Sequence, residues 1–339
     1  MLIDDVMLFD AGGHALDPGD DHYFLGLRCA GGLTGWYGPL PERLAVFAAR
    51  LAAGLRGQPL TVDRLPALLA DVAPTGTGRG VRAALGAVDC AAWDALGRAA
   101  GVPVARLIAA EPAARVPAYA SWLSLDVTTE RGRDQVTRLA GQPWTHTKWS
   151  ARVGAGCGVG EMADHIAAVT RAAGAPVAID AVGTWTSAVL DAVLAAPPAG
   201  VVWLEDPFPS GHEPLPAGLP VALGEHCTTT EDLLDLAQRH RPAVLTPDVL
   251  WLGGLSAARR ALLALASAEV PVWLHGRAFA PALHLAAAIP WLIAGMEYQH
   301  HWWPRRMAVL AEEFPVAAGH VLVPDRPGLG LAPKGAFRA

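Results

Sequence analysis

The sequence predicts an α/β protein in which a small α+β domain precedes a barrel of the (β/α)₈ type. Between residues 116 and 318, short apolar strands alternate with Ala- and Leu-rich helical stretches, which is typical of a parallel sheet. Seven or eight such units follow one another there, which favours a closed barrel over an open sheet. The first 115 residues do not show this alternation and are therefore expected to form a separate domain.

The first domain is expected to combine a small antiparallel meander with helices. Apolar residues alternate in 23–27, and the turn-rich segment 31–39 follows, which is the pattern of paired strands. A helix is predicted over 83–100 because Leu85, Val88, Ala92 and Leu96 recur at three- and four-residue spacing. Gly101 and Pro103 should end it.

The predicted barrel strands lie at regular intervals along the second part of the chain. They are Pro117–Ser121, Thr145–Val153, Val177–Asp180, Val201–Glu205, Val221–Gly224, Ala243–Pro247 and Val272–His275. Residues 319–339 break the alternation and are expected to return to the first domain. The expected division is therefore 1–115, 116–318 and 319–339.

Composition and charge exclude several classes of function. Hydrophobic residues make up 52% of the 339 residues and the net charge is −6, so we expect a globular protein with no nucleic-acid partner. The longest apolar run, Leu285–Met296, is shorter than the roughly 18 residues of a membrane span. The acidic start does not resemble a secretory signal. Four scattered cysteines without a C-x-x-C pair favour a reduced, cytoplasmic location.

Acidic residues recur at the ends of three consecutive predicted strands. Asp180, Glu205 and Glu225 are about one β/α repeat apart, so their carboxylates should converge at the carboxyl end of the barrel. Any one of them could be a helix cap or a loop carboxylate, but three together predict a site for a hard cation such as Mg²⁺. Asp206 competes with Glu205, which we prefer because Asp206-Pro207 is typical of a turn.

Two further strand ends supply Asp248 and His275, again about one repeat apart. An Asp beside a His fixes the imidazole tautomer and raises its basicity, which suits a general acid or base. A structural histidine is the alternative. In the strand Thr145–Val153, the residues His146, Lys148, Ser150 and Arg152 would all point inward if the strand is regular. A lysine inside an apolar barrel rarely lacks a partner.

The ordered set of motifs resembles the mandelate racemase branch of the enolase superfamily. The motifs are Lys148, Asp180, Glu205-Asp206-Pro207, Gly224-Glu225-His226, Asp248 with Gly253-Gly254, His275-Gly276 and Glu297. The helix over 83–100 and the segment Val323–Gly330 are similar to that family's last capping helix and its C-terminal return. The resemblance covers essentially the whole chain.

The resemblance implies a modified (β/α)₇β barrel of the TIM type with an α+β capping domain. It implies Mg²⁺ on Asp180, Glu205 and Glu225, a small-molecule carboxylate substrate and removal of the α-proton; a Lys or His base with Mg²⁺ is the general description of this superfamily. Glu297 would donate a hydrogen bond to the substrate carboxylate and would have to be protonated or bridged. A homo-oligomer is also expected by resemblance.

The chain departs from the family pattern in its second barrel strand. The family has Lys-x-Lys before Val-Gly, whereas this chain has Ser150 and Arg152 there, and Lys148 further upstream. Arginine is a poor base because it stays protonated. The family also commonly has an asparagine two residues after the first aspartate, Asp180, and this chain has Val182 at that position. Racemisation needs a catalyst on each face of the α-carbon, so this site favours another reaction.

The leading hypothesis is therefore dehydration of a sugar acid to a 2-keto-3-deoxy acid, with His275 as the dominant acid/base, while Lys148 and Arg152 hold the carboxylate or a hydroxyl. Lys148 is either a base or only an electrostatic contact. The alternatives are an epimerase, racemase or cycloisomerase acting on a related acid, and a catalytically silent barrel.

Candidate substrate contacts come from three places: Ser150 and Arg152, His14 in the segment 11–21, and Trp36 with Tyr37 in the segment 31–39. The polar and aromatic residues in 300–306 could line the pocket or a subunit interface.

Overall fold

The N-terminal part of the chain forms a three-stranded antiparallel sheet with helices against it. The computed structural model describes residues 1–12, 21–76, 78–154, 158–195, 197, 199–209 and 213–335. The sheet order is β1 (Ile3–Asp10), β2 (Tyr23–Cys29), β3 (Thr34–Leu40), which confirms the predicted meander. The helices are α1 (Glu42–Ala52), α2 (Leu65–Val72), α3 (Arg79–Ala100) and α4 (Val104–Ile108).

Helix α3 is the central element of this part because it is buried on nearly every face. It packs against β3 and α1 on one side and against the barrel on another. Gly101 ends it in the left-handed conformation with φ 70°, and the Val102 N–H donates to Gly97 O at 3.0 Å. This is the glycine-terminated helix end that the sequence predicted.

Eight parallel strands form a closed barrel, as predicted. In order they are β4 (Arg115–Trp122), β5 (Thr147–Ser150), β6 (Val177–Asp180), β7 (Val201–Glu205), β8 (Val221–Leu223), β9 (Val244–Leu245), β10 (Val272–Leu274) and β11 (Ile293–Gln299). The barrel closes because β11 pairs with β4, with Glu297 opposite Tyr119.

Helices surround the strands. They are α5 (Glu130–Ala140), α6 (Met162–Ala173), α7 (Ser187–Ala195), α8 (Thr230–His240), α9 (Leu255–Ala264), α10 (Phe279–Ala288) and α11 (Trp303–Met307). Among the helices described, none has the length and apolar character needed to cross a membrane. The hairpin β12 (Val316–Ala317) and β13 (His320–Leu322) pairs antiparallel with β4.

Two strands differ most from the sequence-based prediction, whereas the others differ from it by at most two residues at either end. The eighth strand, β11, falls partly in the apolar run Leu285–Met296 and was not among the predicted strands. Strand β5 ends at Ser150, although the prediction extended to Val153. The backbone leaves the sheet there: the Val153 N–H donates to the Thr184 hydroxyl at 3.1 Å instead of to a strand.

An aromatic layer fills the barrel interior. It consists of Tyr119, His146, Trp203 and Trp273. His146 stacks on Tyr119 with ring centroids 4.7 Å apart. Burial and, to a smaller extent, the nearby Lys148 together lower the pKa of His146 to about 3, so the imidazole is neutral. His146 is thus a packing residue.

Asp94 connects three parts of the chain. Its Oδ2 accepts from the Trp36 N–H of β3 at 2.8 Å and from Arg98 Nε at 2.5 Å, and its Oδ1 accepts from the Leu329 N–H at 2.6 Å. The C-terminal segment is therefore held against the N-terminal part, since Leu329 follows the last strand by several residues.

We expect Asp94→Ala to lower the free energy of unfolding by about 3 kcal/mol, because it leaves buried N–H donors without an acceptor. Urea denaturation followed by circular dichroism measures this. Asp134→Ala, at an exposed position of α5, is the control and should change stability by less than about 0.5 kcal/mol. Equal stabilities of the two variants would contradict the linking role of Asp94.

Candidate active site

The carboxyl ends of the strands bring one group of ionisable side chains together. Asp180 ends β6 and Glu205 ends β7, and their backbones are paired in register. Glu225, Asp248 and His275 follow β8, β9 and β10 within three residues, and Lys148 and Glu297 lie on β5 and β11. A parallel barrel dictates this arrangement, since every strand presents its last side chains at the same end.

Lys148 lies beneath the mouth of the barrel in contact with three carboxylates. Its Nζ is 2.6 Å from Glu205 Oε1, 3.2 Å from Asp180 Oδ2 and 3.2 Å from Glu297 Oε1. Burial opposes the charge of Lys148, but the carboxylates outweigh it and raise the lysine pKa well above its ordinary value. The side chain is completely buried, so Lys148 is a fixed ammonium ion.

Glu297 differs from the role expected from the resemblance. Burial would raise its pKa, but Lys148 and His275 lower it to about 2, so the carboxyl group is ionised instead of protonated. Its Oε2 accepts from the Gly276 N–H at 2.8 Å. Glu297 therefore holds Lys148 and the turn after β10, and it is not poised as a hydrogen-bond donor.

Asp248 and His275 form a direct pair. His275 Nδ1 lies 2.8 Å from Asp248 Oδ2, and His275 Nε2 lies 3.2 Å from Glu225 Oε2. Although burial lowers the pKa of His275, Glu225, Glu297 and Asp248 together raise it to about 10. Trp251 stacks on the ring with centroids 5.7 Å apart. The imidazole is thus fixed in orientation and carries a proton.

A cavity of about 360 Å³ opens above these groups. Its size lies at the lower end of the range of small-molecule sites, roughly 300–1,000 Å³. The lining residues are Asp21, Leu123, Asp180, Val182, Glu225, Trp251, His275, Arg277, Gln299, Trp302, Arg305 and Arg306. The cavity is therefore lined both by groups that can act as acids or bases and by arginine side chains.

Family models match both parts of the chain. The mandelate racemase / muconate lactonizing enzyme N-terminal domain matches residues 21–109, and the enolase C-terminal domain-like family matches residues 131–336. The chain belongs to the enolase superfamily. The match to the mandelate racemase / muconate lactonizing enzyme family confirms the resemblance found in the sequence.

The relatives include both dehydratases and cycloisomerases. D-galactarolactone cycloisomerase of Agrobacterium fabrum is 28% identical, over 91% of this chain and 88% of the relative. Arabinonate dehydratase of Saccharolobus solfataricus is 26% identical, over 73% of this chain and 69% of the relative.

Solved structures share the fold. The 3,6-anhydro-D-galactonate cycloisomerase of Zobellia galactanivorans has a TM-score of 0.82 at 21% identity, covering 98% of this chain and 97% of the other. A racemase of Streptomyces coelicolor with bound magnesium has a TM-score of 0.79 at 23% identity, with the same coverage. At such identities the similarity shows the enolase-superfamily fold alone.

The donor set suits the divalent cation that the superfamily implies. Burial, together with repulsion from neighbouring carboxylates, raises the pKa of Asp180 and raises that of Glu205 to about 8, although Lys148 opposes both shifts. Asp206 is raised well above its ordinary value for the same reasons. The raised pKa values mean that ionising all of these carboxyl groups together is unfavourable, and a hard, oxygen-preferring cation would stabilise their ionised forms.

Two ligand groups compete for such a cation, and they share Glu225. The Lys148 ammonium shows that oxygens of Asp180 and Glu205 point at one position. However, the ligand atoms of Asp206, Glu225 and His226 lie within 4.8 Å of one another. Among the described residues the second group is the one whose three ligand atoms lie this close together, and Lys148 already occupies the position between Asp180 and Glu205. The first group is the one that the resemblance to the family implies.

Several predicted substrate contacts lie elsewhere. Ser150, the last residue of β5, and Arg152 line a neighbouring cavity of about 390 Å³. Trp36 is buried against Gly26 and lines a third cavity, which none of the ionisable side chains at the strand ends lines. Tyr37 is buried near Asp248 and Arg277, whose charges affect its pKa, but it does not line the cavity above the strand ends. His14 lies outside the described residues.

Sequence reasoning missed Arg277, Trp251 and Gln299 as cavity residues. Arg277 follows His275 by two residues, and Gln299 follows Glu297 by two residues on β11 and shares its face. Alternation along β11 would have revealed Gln299 had that strand been recognised. The open question about 300–306 is answered in part, because Trp302, Arg305 and Arg306 line the cavity.

We expect Lys148→Met to lower the free energy of unfolding by about 3–5 kcal/mol in the absence of divalent cations, because it leaves buried carboxylates unpaired. Added Mg²⁺ should restore more stability to this variant than to the wild type. Thermal and urea unfolding measure both effects. Lys334→Met, at the chain's other lysine, which is exposed, is the matched control. Unchanged stability in Lys148→Met would contradict this account.

Proposed function

We propose that the protein catalyses Mg²⁺-dependent removal of the proton α to a carboxylate, followed by β-elimination that dehydrates a sugar acid to a 2-keto-3-deoxy acid. Membership of the enolase superfamily supports the first step. Relatives named arabinonate dehydratase and D-xylonate dehydratase support the second.

The Asp248–His275 pair at the cavity is the observation that carries this proposal. His275 lines the cavity, whereas Lys148 is completely buried beneath the carboxylates. Of these two basic side chains, His275 is therefore the one that can exchange a proton with a substrate in the cavity. Asp248 fixes the imidazole so that Nε2 faces the cavity side, where its charged form can protonate a leaving hydroxyl. A cation bound at Glu225 would offset the carboxylate that contributes most to the raised pKa of His275, and the neutral form could then take the α-proton.

Asp180, Glu205 and Glu225 would hold the ion. Mg²⁺, when bound, would neutralise the negative charge that develops on the substrate carboxylate as the α-proton leaves. Lys148 contributes a fixed positive charge at the same carboxylates, which offsets the repulsion between them and the substrate. Trp251 covers His275 and limits the access of water to it.

Cycloisomerisation is the second candidate. D-galactarolactone cycloisomerase is similar over 91% of this chain, and ring opening by elimination of a β-oxygen uses the same α-proton removal. Racemisation and epimerisation are less well supported, because Ser150 and Arg152, at the family's lysine positions, line another cavity.

A mass-spectrometric screen of aldonic, aldaric and uronic acids and their lactones in D₂O with Mg²⁺ tests the reaction. We expect loss of one water from one group of acids, and a decrease in kcat of at least about 100-fold in His275→Asn and Asp248→Asn. His320→Asn, at a histidine remote from the strand ends, is the control. Mass conserved with ring opening would indicate the cycloisomerase, and deuterium uptake alone would indicate an epimerase or racemase.

Calorimetric titration with Mg²⁺ tests the ligand set independently of activity. We expect Asp180→Asn, Glu205→Gln and Glu225→Gln each to weaken binding by at least about tenfold, and Asp206→Asn to have a smaller effect. Normal binding in Glu205→Gln together with lost binding in Asp206→Asn would transfer the site to Asp206, Glu225 and His226. Absence of binding in the wild type would favour the silent barrel.

A further inference from the structure

Asp206, Glu225 and His226 form a group of metal-binding side chains next to the cavity. One ligand atom from each lies within 4.8 Å of the others. Glu225 lines the cavity above the strand ends, whereas neither Asp206 nor His226 is among the described residues that line it. The group is therefore separate from the cavity except at Glu225.

The carboxylate of Asp206 is buried without a hydrogen-bond donor among the residues that the structure describes. Its side chain is 7% exposed, and its Oδ2 lies 3.7 Å from His226 Nε2, which is too far for a hydrogen bond. The ion pairs of the nearby Lys148 are with three other carboxylates. A buried carboxylate normally has a cation or hydrogen-bond donors beside it, so Asp206 lacks the compensation that its neighbours have.

His226 places a second unsatisfied group beside Asp206. Its Nδ1 is buried and has no hydrogen-bond partner in the described part of the chain, and it lies 3.5 Å from Glu225 Oε1. Trp251 stacks on the imidazole with ring centroids 6.0 Å apart, which restricts the plane of the ring. A neutral imidazole has one unprotonated nitrogen that can bind a metal ion. His226 thus offers a nitrogen ligand next to two carboxylates.

The two oxygens of Glu225 contact different histidines. Its Oε2 lies 3.2 Å from Nε2 of His275, on the side of the cavity, whereas its Oε1 lies 3.5 Å from Nδ1 of His226. One carboxylate can bridge two cations that are roughly 3.5–4 Å apart. A cation held with Asp206 and His226 therefore does not exclude a cation held with the carboxylates on the other side of Glu225.

The ligand types determine which cation suits this group. Mg²⁺ binds almost entirely through oxygen, whereas Zn²⁺ and Mn²⁺ also accept an imidazole nitrogen together with carboxylates. The ligand atoms would have to move closer together on binding. The side chains of Glu225 and His226 are 18% and 32% exposed, which leaves them room to rotate towards the buried Asp206.

We propose that Asp206, Glu225 and His226 bind a second divalent cation of the class that accepts nitrogen ligands, such as Zn²⁺ or Mn²⁺. This site is additional to the Mg²⁺ site of the proposed function and shares Glu225 with it. The second cation holds Oε1 of Glu225 and thereby fixes the side chain that contacts His275. It does not depend on which reaction the protein catalyses.

Calorimetric titration of the Mg²⁺-saturated protein with Zn²⁺ tests this site. We expect one Zn²⁺ to bind to the wild type. Asp206→Asn and His226→Gln should each weaken Zn²⁺ binding by at least about tenfold and leave Mg²⁺ binding within about threefold. Glu205→Gln should have the opposite effect, because it removes a ligand of the Mg²⁺ site only. His320→Gln, at a histidine remote from the strand ends, is the control and should bind both ions normally.

X-ray absorption spectroscopy of the bound Zn²⁺ identifies its ligands directly. We expect an imidazole nitrogen at about 2.0–2.1 Å, present in Glu205→Gln and absent in His226→Gln. No Zn²⁺ binding to the wild type, Zn²⁺ binding that persists in both Asp206→Asn and His226→Gln, or a shell of oxygen alone would overturn the second site and leave the proposed Mg²⁺-dependent reaction standing. Zn²⁺ bound at this site without any Mg²⁺ binding would instead overturn the metal assignment of the proposed function.

Discussion

The contact of the Lys148 ammonium with Asp180, Glu205 and Glu297 is the constraint on which the mouth of the barrel depends. Parallel strands place their final side chains at one end, so a barrel with acids on consecutive strands concentrates negative charge there. Carboxylates removed from water require a compensating cation. Lys148 provides a permanent one from below and lowers the pKa of both Glu205 and Glu297. His275 and the Gly276 N–H lower the pKa of Glu297 further, whereas burial and repulsion from Asp180, Glu297 and Glu225 raise that of Glu205.

The aromatic layer beneath Lys148 gives that ammonium its fixed position. The Tyr119 ring lies 5.5 Å from Lys148 Nζ, and His146 stacks on the same ring. A protonated His146 would repel Lys148, and burial keeps it neutral. Since water is largely excluded on this side, the attraction between Lys148 and its carboxylates is stronger than at a surface. The packing of the aromatic layer and the attraction to the carboxylates thus both hold Lys148 in place.

Most of the barrel and the identity of the converging carboxylates followed from the sequence, because both depend on repeat length. Strand spacing fixed Asp180, Glu205 and Glu225 at one edge, and the same spacing placed Asp248 beside His275. Strand β11 was missed because periodicity does not distinguish a short apolar run from a buried helix. The end of β5 was also missed, since it depends on a hydrogen bond to Thr184 that lies 31 residues away. The ionisation of Glu297 and the burial of Trp36 depend on residues that are distant in the sequence, so no local sequence pattern indicates them.

The turn after β6 shows how strongly the site determines its own backbone. Val182 has φ 52°, a conformation that β-branched residues rarely adopt, yet its N–H donates to Asp180 Oδ1 at 2.8 Å. On either side of Val182, the Ala181 N–H donates to Glu205 O of β7 at 3.0 Å, and the Gly183 N–H donates to Asp206 O at 2.7 Å. These bonds fix the turn whatever the side chain, so the asparagine found here in the family is not needed for the shape. Its replacement by valine removes an amide from the cavity wall while keeping Asp180 in place. The change therefore affects the wall of the cavity, which Val182 lines, more than the arrangement of its acids.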